Sequence, residues 1–119
     1  MMGEPVDVVA EAEEYVSALR REWVAPRDRE CVACYVGRML DEFGCDNRLR
    51  WVGLWRDACA PRATALERRL ASRGGFCDCE VALNVFPEQM LLPEDEPRPP
   101  CDGVSRRGST APCRRSSSR

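Results

Sequence analysis

The chain contains no histidine, no lysine and no isoleucine. Without histidine it lacks the side chain that most often serves as general base near neutral pH, and also the nitrogen ligand of mixed zinc sites. A metal bound here therefore sits on sulfur or carboxylate. Every basic residue is arginine; lysine and isoleucine codons are AT-rich, so this bias speaks of a GC-rich coding sequence and not of function. The first residues, Met1 to Asp7, carry neither a basic start nor an apolar run. The expectation is no signal peptide, no membrane span and a cytoplasmic location.

Against these absences stand 8 cysteines in 119 residues. In a reducing compartment an even count is not evidence of disulfides, and the thiols point to metal binding or redox chemistry. The hydrophobic pattern stops near Leu92. Residues 1–92 thus read as a single small domain, and residues 93–119, rich in proline, serine and arginine, as a disordered tail. A domain of this size buries a limited share of its surface, so a cross-link would offset chain entropy that packing alone leaves uncovered.

Charge is uneven although the net is only -2. Glu11, Glu13, Glu14 and Glu22 make the start acidic, while Arg48, Arg50, Arg56, Arg62, Arg68, Arg69 and Arg73 make the middle basic. Such a stretch can dock phosphate or pair with the protein's own acidic helix. The overall balance favours the second.

Periodicity predicts four helices. Val8, Ala12, Tyr15, Val16, Leu19 and Trp23 share one face over residues 7–23. Tyr35, Val36, Met39, Leu40 and Phe43 mark residues 34–43, with Gly44 as the stop. Asp46 is a good N-cap for residues 47–59, and Pro61 suits the first position of residues 61–73, which end at Gly74-Gly75. Beyond the glycines the period becomes two, and residues 79–86 read as a strand. A short helix capped by Asp78 is the competing reading. The fold class expected is mainly α with one short β element, a small metal-stapled α+β domain with a disordered C-terminal tail.

Cys31-Val32-Ala33-Cys34 and Cys77-Asp78-Cys79 supply four thiolates, the set a structural zinc site requires. The expected ligands are Cys31, Cys34, Cys77 and Cys79, with Cys45 as an alternative. Cys59 reads as a small apolar filler, and Cys101 and Cys113 as unpaired residues of the tail. Cys31 and Cys34 also stand at a helix N-terminus, where amides and dipole stabilise thiolate, so a thiol redox pair is a second reading. No strand precedes the pair as a thioredoxin-like unit demands. Asp46, Asp78 and Glu80 could act as acid or base beside an open metal, but a cap, a turn and a solvated face explain them as well, and no catalytic residue is assigned. Trp51 and Trp55 with nearby arginines could stack bases; at helical spacing they read as core.

The segment Gly74-Gly75-Phe76-Cys77-Asp78-Cys79-Glu80-Val81, followed by Asn84-Val85 and preceded by Cys45-Asp46 and Leu49-Arg50-Trp51, resembles the bacterial family known as domain of unknown function 2695. The resemblance covers roughly residues 31–86. It implies that Cys45, Asp46, Cys77 and Cys79 belong to a shared signature, with Cys31 and Cys34 marking a subgroup, and that many relatives carry histidine where this chain has Asn47. It implies no activity. The expected function is a small zinc-stabilised binding or regulatory module rather than an enzyme, with a protein partner favoured over arginine-mediated nucleic-acid binding.

Overall fold

Apolar residues at helical spacing after Cys31 build the first helix of the fold. The computed structural model describes residues 23–87 and 100–113. The helix expected over residues 7–23 lies outside them, except for its last residue.

Helix α1 runs Val32–Phe43 and buries Val32, Ala33, Tyr35, Val36 and Met39. Cys31 caps it, its sulfur accepting the Cys34 N–H at 3.4 Å. It stops at Gly44, whose φ of 79° is open to glycine and whose N–H donates to the Leu40 carbonyl at 3.0 Å.

Helix α2, Arg50–Cys59, crosses α1 and contributes Trp51, Val52 and Trp55 to the core. Both indoles are anchored: Trp51 Nε1 donates to the Gly44 carbonyl at 3.0 Å, and Trp55 Nε1 to the Glu30 carbonyl at 2.9 Å. A buried ring is thereby packed and its one polar atom satisfied. The cap differs from the one expected. Asp46 accepts the Arg48 N–H at 3.2 Å and pairs with its guanidinium, outside the helix start. The free amides of α2 are met instead by Asp78, whose carboxylate accepts the N–H of Trp51 at 3.0 Å and of Val52 at 3.2 Å. Capping here comes from a distant part of the chain, which local spacing does not register.

Helix α3, Leu66–Ser72, follows turns at residues 60–65 and lays Leu66 and Leu70 on the core. Arg56 holds Asp57 and Glu67 together, tying α2 to α3.

The strand expected over residues 79–86 does not form, and no strand occurs among the described residues. A single turn, α4 (Asp78–Glu80), runs into a π-helical stretch, Val81–Val85, closed by the Phe86 N–H on the Val81 carbonyl at 2.9 Å. A lone strand would leave its backbone groups without partners, whereas helical turns satisfy them locally. The wide turn also places Val81, Ala82, Val85 and Phe86 in the core and leaves Leu83 and Asn84 outside. The fold is therefore mainly helical, without the β element.

Residues 100–113, assigned by composition to a disordered tail, are packed. The Val104 N–H donates to the Arg29 carbonyl at 2.8 Å, and the Arg29 guanidinium donates to the carbonyls of Val104 and Ser105 at 2.9 and 3.0 Å. Arg107 pairs with Asp28 at 3.0 Å. Val104 and Cys113 join the core.

Candidate metal centre

The docking of residues 100–113 brings two cysteines of that segment onto the cysteines that open α1. The sulfurs of Cys31, Cys34, Cys101 and Cys113 all lie within 4.8 Å of one another, the one such group of metal-ligating side chains among the described residues. Cys34 and Cys113 approach to 3.7 Å. Two sulfurs on a tetrahedral zinc at about 2.3 Å stand about 3.8 Å apart, so the set fits that ion, and no disulfide joins any of them.

Backbone amides are aimed at these sulfurs. Cys34 N–H donates to Cys31 Sγ at 3.4 Å, Cys31 N–H to Cys101 Sγ at 3.4 Å, and Gly103 N–H to Cys101 Sγ at 3.3 Å. Such donors stabilise a thiolate and orient it as a ligand. The hydrogen bond from the Cys34 thiol, aided by amides, holds Cys31 down at about 5 despite its burial. The same bond, with burial, pushes Cys34 up. Burial lifts Cys101 to about 11. The arrangement favours a thiolate at Cys31, and a cation would draw off the protons of the others. Cys31, Cys34 and Cys113 are buried and Cys101 partly so, leaving little room for a fifth ligand.

Cys77 and Cys79 lie outside this group, as does Cys45, whose sulfur accepts the Asn47 N–H at 3.4 Å. The sequence-predicted set is thus divided: Cys31 and Cys34 meet Cys101 and Cys113, and neither Cys77, Cys79 nor the alternative Cys45 joins them. Cys59 packs against the core, where burial raises its thiol. Asp78 is buried and spent on capping α2, and Glu80 is half-buried on α4. Arg62, Arg68, Arg69 and Arg73 are exposed around α3. The two residues that spacing missed are Cys101 and Cys113. Their signal was a cysteine followed by Asp102-Gly103 and another preceded by Pro112, turn residues around thiols in a segment with no apolar pattern. An ion-held segment needs no such pattern.

With this geometry in hand the chain can be set beside known proteins. Residues 32–84 match the family described as Protein of unknown function (DUF2695). The resemblance carried by the Gly-Gly-Phe-Cys-Asp-Cys-Glu-Val segment is borne out. Uncharacterized proteins of Mycobacterium bovis and of two strains of Mycobacterium tuberculosis are each 37% identical over 57 residues, covering 48% of this chain and 58% of theirs. The chain therefore spans less than two thirds of the length of these relatives. No solved structure matches. The DUF2695 segment contains Cys45, Cys77 and Cys79, but of the four-sulfur cluster only Cys34. The cluster is thus assembled largely from residues flanking the DUF2695 segment. No helix among the described residues is long and apolar enough to cross a membrane.

Proposed function

We propose that this chain is a small zinc-stapled binding or regulatory module, in which Cys31, Cys34, Cys101 and Cys113 hold the ion and so fasten residues 100–113 onto the start of α1. The observation that carries this reading is the convergence of four sulfurs within 4.8 Å, with three amide donors on two of them. An all-sulfur tetrahedral set selects zinc or an iron centre, and a closed, mostly buried site with no open position is structural rather than catalytic. Such a site works where thiols stay reduced, in keeping with a cytoplasmic protein. Exposed Trp23, Phe76 and Leu83 favour a protein partner over nucleic acid.

Metal analysis of reduced, folded protein purified without a chelating column tests the reading. About one equivalent of zinc, protecting Cys31, Cys34, Cys101 and Cys113 from alkylation until a chelator is added, is the expected result. Less than about a tenth of an equivalent overturns it.

The lowered Cys31 thiol favours one other reading, a redox pair of Cys31 and Cys34. Its sulfur is fully buried, which weighs against attack on an outside disulfide. Rapid labelling of Cys31 near neutral pH, insensitive to chelator, would select redox over metal.

A further inference from the structure

Two turns of the chain share a cleft of about 470 Å³. The first follows α2: the Ala63 N–H donates to the Ala60 carbonyl at 2.9 Å, Pro61 fixes the backbone at the second position and Arg62 takes the third. The second belongs to the docked segment. There the Ser109 N–H donates to the Arg106 carbonyl at 3.2 Å, and Gly108, with φ of 85°, takes the left-handed conformation that brings the chain round. Arg62 lines one wall of the cleft, and Arg106 and Arg107 line the other.

No carboxylate lines this cleft. Arg38, Arg48 and Arg56 are each held by a carboxylate, whereas the guanidiniums of Arg62 and Arg106 have no ion-pair partner among the described residues. Arg107 pairs with Asp28 at 3.0 Å, but the two side chains are 75% and 73% exposed, a setting in which an ion pair holds a guanidinium weakly. Ser109 Oγ accepts the Ala111 N–H at 3.2 Å and so keeps its own hydrogen to donate. Three like charges around one cleft repel each other. An anion among them turns that repulsion into attraction and meets the planar donor forks of arginine, which suit the oxygens of a phosphoryl group.

We propose that Arg62, Arg106 and Arg107, with Ser109 as a hydroxyl donor, form a binding site for a small phosphate-bearing anion. The cleft has the size of a small-ligand site. One cleft takes one phosphate rather than a run of them, and a net charge of -2 is not that of a nucleic-acid binder. The site goes beyond the zinc reading and does not depend on it: none of its residues belongs to the four-sulfur cluster. Because one wall comes from residues 106–109, an anion bound there bridges the end of α2 to the docked segment and adds to what holds that segment in place.

The test titrates the full, reduced chain in phosphate-free buffer with inorganic phosphate and, separately, with glycerol phosphate, by calorimetry at fixed ionic strength. Saturable binding of one equivalent is expected, weakened at least about tenfold in Arg62→Ala/Arg106→Ala. Arg68→Ala/Arg69→Ala removes the same charge from exposed positions of α3 outside the cleft and should change it less than about twofold. Arg62→Lys/Arg106→Lys keeps the charge without the forks and should fall between the two. The altered side chains are exposed, so each variant should keep the wild-type melting midpoint before phosphate is added. Tighter binding of glycerol phosphate than of inorganic phosphate supports the site with an organic ester as its ligand, and equal binding supports it with the free anion. No saturable binding of either probe overturns the site. Equal weakening in the two alanine double variants also overturns it, since that marks diffuse attraction to arginine.

Discussion

The carboxylate of Asp78 accepts the backbone N–H of Trp51 at 3.0 Å across 27 residues of sequence, and with Val52 it supplies the cap that α2 lacks locally. Asp78→Ala would leave two helix-start amides without acceptors in a buried position. The expected cost is about 2–3 kcal/mol, read as a lower midpoint in urea. Asp78→Asn keeps one acceptor and should cost about half as much.

The same residue predicts a pH effect. Burial raises the Asp78 carboxyl above its ordinary value of 3.8 and outweighs the amides that favour its charge. The native state therefore holds this proton more tightly than the unfolded chain does. Stability from this group falls as pH rises from about 3.8 through the raised native value. Melting temperature against pH should show that downward component in the wild type and lack it in Asp78→Asn; parallel curves for the two proteins would refute it.

Gly75 should not tolerate alanine. A Cβ there would stand 2.8 Å from Val81 Cγ2 and 3.1 Å from the Leu70 carbonyl oxygen. The π-helical stretch would have to move away from α3, at an expected cost of about 1–3 kcal/mol in chemical denaturation. Alanine at Gly53, where a Cβ meets nothing within 4 Å, is the matched control and should be neutral or slightly stabilising.

Chelation should free residues 100–113 before the rest of the fold. With the ion removed, that segment keeps chiefly the Arg29 and Arg107 contacts and the burial of Val104. Limited proteolysis after Arg106 or Arg107 should accelerate several-fold on adding chelator, and Arg29→Ala should add to the effect. Acid should act in the same direction, since thiolates must be deprotonated to bind. The metal-bound state carries fewer protons than the unfolded one, so stability falls as pH is lowered.

The tryptophans differ sharply in access: Trp23 is 64% exposed, Trp51 and Trp55 at most 1%. Acrylamide should quench only the Trp23 share of the fluorescence, and Trp23→Phe should leave a blue-shifted, poorly quenched spectrum. Burial also removes Trp51 and Trp55 from any role in stacking bases.

What could be read in the sequence followed from local physics. The stripe of Tyr35, Val36 and Met39 and the stop at Gly44 are short-range signals, and α1 and its end lie where they indicate. The alternation after Gly75 misled because Val81 and Val85 fit a period of four as well as one of two; Leu83 between them is exposed, and the inner residues are Val81, Ala82, Val85 and Phe86. Asp46 has the right chemistry for a cap, but a carboxylate from far along the chain reached the helix first. The cysteines divide likewise. Spacing marked Cys31-Cys34 and Cys77-Cys79 as pairs, yet which pair meets which partner is a matter of tertiary path, and Cys101 and Cys113 lie where no hydrophobic pattern announced order.

The hydrogen bond from the Val104 N–H to the Arg29 carbonyl, at 2.8 Å, joins stretches of chain 75 residues apart. A contact of that separation carries a large loop-closure entropy, so it is expected to form after the local turns of the helices and to be among the first to open.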